Sequence, residues 1–266
     1  MLDEIRQELK ETTILGREIV FLPEVDSTNT YAKKCALEGA KSGLVVIADR
    51  QTAGRGRQER TFQSPGGKGI YLTVLLRPEV PAEDLACLTA LAGVAVCDAV
   101  ERVCGIRPGL KWPNDPVMGN RKLCGILTEL ITDAEGGLCL ILGIGINVSQ
   151  TAEDFTPDVA EIATSLLQEL GRQVSRPVLV AALLEELDKA YAALERGELE
   201  EYLCSYRRGC VNVGKTVQLI QGEQRETAKA VGIAANFGLV IRTADGLEKT
   251  VRSGEVSIRG MYGYVE

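Results

Sequence analysis

The chain has 266 residues, 45% of them hydrophobic and 25% charged, with a formal net charge of −7, so it can build one large core and a small second domain and is not disordered in composition. An acidic balance argues against broad nucleic-acid binding, which needs a basic face or stripe, though it leaves room for a local basic pocket. There is no histidine, which excludes a Ser-His-Asp triad, a histidine metal site and an imidazole base, and leaves lysine, arginine, aspartate, glutamate and a bound cation to do any chemistry.

Residues 2–11 place Leu2, Ile5 and Leu9 at helical spacing among charges, which predicts a short amphipathic helix, and residues 17–22 read as the first strand. The start is acidic, with no signal-peptide pattern, and a cytoplasmic location is the expectation. Asp26 or Ser27 can cap a helix running to about Gly39, leaving Ser27, Thr28 and Asn29 at an exposed N-terminal end with free backbone donors. Residues 44–49 and 70–77 read as strands joined by a long glycine-rich connection over 50–68, and structureless loops of that length are functional or mobile. Residues 82–105 predict an alanine-rich helix, whose most apolar part, 85–100, is broken by Thr89 and Asp98 and is too short to cross a bilayer. Residues 123–130 and 138–147 predict a hairpin turned at 134–137. A polar, flexible segment follows, then helices near 159–171, 176–196 and 198–208. From Val211 the texture changes to short alternating strands separated by Gly222, Gly238 and Gly246, as in a small β-barrel. The boundary is placed there, giving units 1–210 and 211–266. The eight cysteines form no Cys-x-x-Cys pair and read as reduced core thiols.

Three local sequences point to one anion-handling site. Gln51-Thr52-Ala53-Gly54-Arg55-Gly56-Arg57 alternates glycine with arginine, so backbone can approach a ligand while Arg55, Arg57 and Arg60 present guanidinium forks suited to phosphate. Lys111-Trp112-Pro113-Asn114-Asp115 sets a cation, an amide and a carboxylate around a proline-stiffened turn. Arg121-Lys122-Leu123-Cys124-Gly125 delivers Lys122 at the start of an apolar strand, where a lysine that merely reaches water is the alternative.

These segments, with Asp26-Ser27-Thr28-Asn29 ahead of them and Gly143-Ile144-Gly145-Ile146-Asn147 and Gly254-Glu255-Val256-Ser257-Ile258-Arg259 behind, resemble the biotin protein ligase family. The resemblance implies an α+β fold, a mixed, largely antiparallel sheet with packed helices like that of class II aminoacyl-tRNA synthetases, and a C-terminal SH3-like β-barrel. It implies ATP-dependent formation of biotinyl-5′-AMP, then transfer of biotin to a lysine of a biotin carboxyl carrier domain. Lys122 and Arg57 take the catalytic positions, with Asp115 either orienting the incoming lysine and helping remove its proton or merely fixing the turn. Ser27, Thr28, Asn29, Gln51, Arg55, Gly56 and Gly125 match biotin-side positions. Arg55, Gly56, Arg57, Arg60, Phe62, Lys111, Asn114, Lys122 and Asn147 match the nucleotide side, and Trp112 reads as core packing. Magnesium is expected with the nucleotide, with no dedicated protein ligands assigned.

Relatives usually carry glycine where this chain has Glu59, which could offset a neighbouring arginine and strain the turn if its φ is positive. Many bacterial relatives begin with a DNA-binding winged helix, for which too few residues precede Arg17, so no DNA partner is expected; nor is a membrane, and association of two copies through sheet edges stays open. A lipoate-type ligase of the same broad fold, whose pattern includes a histidine, and a non-catalytic biotin sensor are the competing readings.

Overall fold

The computed structural model describes residues 1–10, 12–81, 84–133, 135–221, 223–252, 257–260 and 264–265, and the side chains of Glu59, Asp84, Ser257 and Arg259 also lie outside the described set. The Glu59 carboxylate, the helix start at 82–83, Ala134 of the hairpin turn, Gly222 and the 254–256 part of the last motif therefore fall outside the described residues.

The first sheet is built from β1 (Glu18–Val25), β2 (Leu44–Gln51), β3 (Gly69–Leu76), β7 (Cys124–Thr132) and β8 (Leu138–Asn147), in the order β1-β2-β3-β8-β7. Helix α2 (Thr28–Leu37) crosses between β1 and β2, which pair in parallel; the other neighbours are antiparallel. Alternate residues of β2 serve two cores, as the two-residue period of a strand requires. Leu44 and Val46 pack with Ala32 and Ala36 of α2, while Val45 and Ile47 face the larger core with α3 (Leu88–Cys104) and α6 (Arg176–Arg196). Covered on both faces, β3 is buried along its whole length. Helix α3 stops at Gly105, whose left-handed φ of 78° lets its N–H reach Glu101 O. The N-terminal helix α1 (Leu2–Glu8) buries Ile5, and residues 13–15 are fastened to α6 by Asp188, whose carboxylate accepts from the backbone of Thr13, Ile14 and Leu15 at 2.7, 2.9 and 2.8 Å.

Two parts of the chain depart from expectation. A small sheet of β4 (Gly109–Lys111), β5 (Asp115–Met118) and β6 (Arg121–Lys122) lies beside the main one. Lys122 thus ends β6 and does not open the long strand, which begins at Cys124. The helix predicted over 159–171 is two short helices, α4 (Pro157–Ala160) and α5 (Leu166–Leu170). The chain between them is drawn out alongside Lys122, whose N–H donates to Ile162 O and whose carbonyl accepts from Thr164 N. Ser165 then caps α5 by accepting from Gln168 N.

After α7 (Glu200–Gly209) come β9 (Thr216–Gln221), β10 (Gln224–Ile233), β11 (Leu239–Arg242), β12 (Glu248–Val251) and β13 (Ser257–Gly260), an antiparallel sheet in the order β12-β11-β10-β9-β13. It docks on the 112–114 turn. Trp112 Nε1 donates to Phe237 O at 2.9 Å and Trp112 N donates to Asn212 Oδ1 at 2.7 Å, while α7 holds the same turn through Tyr206 OH, which donates to Pro113 O at 3.1 Å. Trp112 is packed as expected, at 1% exposure. All eight cysteines are free, but Cys204 is exposed and Cys35 half-buried, so these two are not core thiols. Among the described residues no helix is long and apolar enough to cross a membrane.

Candidate active site

A cavity of about 830 Å³ opens between the first sheet, the small sheet and the C-terminal sheet. Every residue matched to a catalytic, biotin-side or nucleotide-side position lines it: Ser27, Thr28, Asn29, Gln51, Arg55, Gly56, Arg57, Arg60, Phe62, Lys111, Asn114, Asp115, Lys122, Gly125 and Asn147.

One end is a fixed polar network. Ser27, Thr28 and Asn29 are buried at the start of α2 and are not exposed, and their side chains do not cap the helix. Thr28 donates through its N–H and its Oγ1 to Gln51 Oε1 at 2.8 and 3.0 Å, and Gln51 Nε2 donates to Ser64 Oγ at 2.9 Å. Ser27 N donates to Asp26 Oδ1, so the free helix donors expected at Ser27 and Thr28 are taken. Thr73 Oγ1 sits 2.8 Å from Thr28 Oγ1 and 2.7 Å from Asn29 Oδ1. Asn29 Nδ2 donates to Glu129 Oε2, whose other oxygen receives Lys33 and lies 3.7 Å from Arg55. Burial would push Glu129 up, but bonds from Lys33 and Asn29 and the nearby cations hold it below the usual range.

Glycines make the floor. A Cβ at Gly143 would lie 2.1 Å from Asn29 Oδ1, and one at Gly145 would lie 2.5 Å from the Phe62 ring, which also rests against Gly125. The loop over this floor is not structureless: residues Gln51 and Ser64 and residues Arg55 and Thr61 pair as bridges, Phe62 N donates to Gly54 O at 2.9 Å, and a 3₁₀ turn spans Arg57–Glu59. The left-handed backbone in that turn falls on Gln58, at φ 54°, so the conformational strain considered for Glu59 belongs to its neighbour.

The other end is cationic. Arg57 donates to Asn114 Oδ1 at 3.2 Å, and Asn114 Nδ2 donates to Ile126 O at 2.7 Å. Burial lowers the Arg57 pKa while the Asp115 charge opposes it. Lys122 Nζ lies 2.6 Å from Asp115 Oδ1, Tyr264 OH donates to Asp115 Oδ2, and Lys111 Nζ donates to Ile258 O at 2.8 Å while lying 4.3 Å from the Tyr264 ring centroid. Burial alone would raise the Asp115 pKa, yet Lys122 and Lys111, with the bonds from Lys122 and Tyr264, hold it below the usual carboxylate range. Arg60 is exposed and donates to Gln58. Asn147 spends its amide on the frame, donating to Thr164 O at 2.9 Å and accepting from Gln150.

Sequence reasoning missed Gln218, Arg225 and Tyr264, which the C-terminal unit contributes to the cavity beside Ile258 of the last motif, and Ile162 and Ala163 between α4 and α5. The glycines of β8, already part of a quoted motif, show what a local signal looks like, because a repeated glycine in a buried strand marks close approach; the missed residues carry none. Among the described residues no group of three or more His, Cys, Asp or Glu could hold a metal ion.

The mixed sheet, its glycine floor and the cations at the far end make a cavity suited to a hydrogen-bonding ligand held beside an anion. A model of the Biotin/lipoate A/B protein ligase family matches residues 21–147, and one of the Biotin protein ligase C terminal domain matches residues 213–259. The bifunctional ligase/repressor BirA of Bacillus spizizenii is 34% identical over 246 residues, 92% of this chain and 75% of that protein. The biotin–acetyl-CoA-carboxylase ligase of Mycobacterium tuberculosis is 33% identical over 90% of this chain and 88% of its own. The biotin protein ligase of Aquifex aeolicus, solved in complex with biotin and ATP, superposes with a TM-score of 0.82 at 32% identity over 92% of this chain and 99% of that one. The chain belongs to the biotin protein ligase family.

Proposed function

We propose that this chain is an ATP-dependent biotin protein ligase, which forms biotinyl-5′-AMP and then transfers biotin to a lysine of a carboxylase's biotin carrier domain. It works in the cytoplasm, a reducing compartment that suits its free cysteines, and through two units, 1–210 and 211–266. The observation that carries the reading is Lys122, paired with Asp115 at the cationic end of a cavity whose other end is a rigid polar network.

The first step brings a carboxylate against a polyphosphate. A biotin carboxylate oxygen attacks the α-phosphorus, the new C–O–P link forms as the bond to the bridging oxygen breaks, and pyrophosphate leaves. Fixed cations relieve the repulsion and stabilise charge growing on the phosphate oxygens. Lys122 has three donors, and one on Asp115 leaves two for the carboxylate and the α-phosphate. Arg57 meets the same phosphate, Arg60 takes the departing pyrophosphate, and Lys111, Asn114 and Phe62 form the nucleotide side. Ser27, Thr28, Asn29 and Gln51 present the ureido ring with donors and acceptors already locked in place. Arg55, Gly56 and Gly125 flank its chain, and Asn147 holds the frame beside Lys122. Magnesium is expected to accompany the nucleotide and would add positive charge beside its phosphates.

In the second step the acceptor amine attacks the acyl carbon and AMP leaves. Asp115, held ionised, is a weak proton acceptor and serves to orient the incoming ammonium, with the proton lost to solvent.

The test is incubation with MgATP, a carrier domain, and biotin or lipoate in separate reactions, followed by intact-mass measurement of the carrier. A biotin-sized gain that is lost in Lys122→Ala is expected. A lipoyl gain would move the chain to the sister chemistry, and tight biotin binding with no gain would make it a sensor.

A further inference from the structure

Asp115 is buried, at 8% exposure, and its two oxygens have different partners from different parts of the molecule. Lys122 Nζ takes Oδ1 at 2.6 Å; the Tyr264 hydroxyl, from the end of the C-terminal unit, donates to Oδ2. The same tyrosine lies against Lys111 through its ring, 4.3 Å from Nζ to centroid, while Lys111 is tied to the C-terminal sheet at Ile258 O. One residue therefore touches both the carboxylate that pairs with Lys122 and the other lysine that competes for that carboxylate.

The competition is physical. Asp115 faces Lys122 from β6, Lys111 from β4 and Arg57 from the glycine-arginine loop, with the neutral Tyr206 of α7 and Cys124 of β7 packed nearby. A carboxylate facing three cations can turn toward more than one of them, and rotating it would take Oδ1 away from Lys122. A neutral hydroxyl on Oδ2 selects one orientation without adding a rival charge, and the ring gives Lys111 an alternative site.

We propose that Tyr264 is a positioning residue for adenylate formation: it fixes the Asp115 carboxylate so that Lys122 stays aimed between the biotin carboxylate and the α-phosphate. The inference rests on the ligase reading given above. It makes the C-terminal unit part of the first chemical step, through a residue that does not itself meet the substrate.

The experiment compares the full-length chain with Tyr264→Phe and Tyr264→Ala, measuring biotin-dependent pyrophosphate release across pH, KM for biotin, and thermal unfolding. Tyr264→Phe keeps the ring beside Lys111 and loses only the hydroxyl. Its kcat is expected to fall about tenfold, with KM for biotin and Tm little changed. The acid limb of its pH profile moves upward, because one of the bonds holding the Asp115 carboxyl down has gone. Tyr264→Ala falls further, having also removed the ring that lies against Lys111. Wild-type kcat and pH profile in Tyr264→Phe would overturn the proposal, as would a loss fully accounted for by the unfolded fraction. A wild-type chain that releases no pyrophosphate with biotin and MgATP would instead overturn the ligase reading itself.

Discussion

Gly143 shows how tightly single residues are set in this cavity. A methyl group there would lie 2.1 Å from Asn29 Oδ1, so Gly143→Ala must push Asn29 off Thr73 and Glu129, on which its amide is fixed. A polar pocket loses affinity steeply when a fixed partner moves, and biotin binding measured by calorimetry is expected to weaken at least about tenfold, with adenylate turnover at saturating biotin less affected. Unchanged affinity would mean that Asn29 does not meet the ligand. The residues that line the cavity were legible wherever the chemistry was local: glycine beside arginine, lysine before a proline turn, asparagine at a strand end. Tyr264 was not, because a tyrosine in a short glycine-containing tail carries no local sign of the carboxylate it will meet 149 residues away.

Among the elements, α6 does more than pack against α3. Its Asp188 is nearly buried and accepts from three successive backbone N–H groups and the Thr13 hydroxyl, which fastens the segment before β1 to the domain. Asp188→Asn turns an acceptor into a donor facing those donors and is expected to cost about 2 kcal/mol, read as a lower urea midpoint at constant slope. Burial would raise the carboxyl's pKa, but the bonds from Leu15, Thr13 and Ile14 bring it below its ordinary value. Its stabilisation is therefore complete above the unfolded pKa of about 4 and is lost as pH falls through the lower folded value; the wild type should lose its margin over Asp188→Asn only in acid. A margin constant with pH would place the effect elsewhere. The long elements were readable because α3, α6, β3 and β8 carry apolar runs with clear stops, as Gly105 and Gly197 show. The strands β4, β5 and β6, of three, four and two residues, are too short to show a period. The split between α4 and α5 arises from backbone pairing with Lys122, a tertiary demand that helical propensity does not report.

The whole molecule has one main core. Val217, Leu239 and Ile241 of the C-terminal sheet belong to the same buried cluster as α3 and the first sheet, so the two units are expected to unfold in a single calorimetric transition, with the calorimetric and van't Hoff enthalpies equal. Two resolved transitions would show that the docking of the C-terminal sheet contributes little. The change of texture near Val211 was visible in the sequence, and so was the alternation that makes the later strands. What they close upon was not, since the cavity wall is completed by pairs of residues separated by most of the chain. The charge distribution follows the same rule: an overall charge of −7 coexists with a cavity edged by Arg55, Arg57, Arg60, Lys111, Lys122 and Arg225, and nucleotide affinity should weaken with added salt. Trp112 joins these scales, because it is the only tryptophan in the chain, is sealed between the two units, and precedes the Pro113 that lines the cavity. Its indole is therefore an intrinsic optical probe placed at the seam: emission shifting to the red before global unfolding would time the parting of the C-terminal sheet, with no dye or added label.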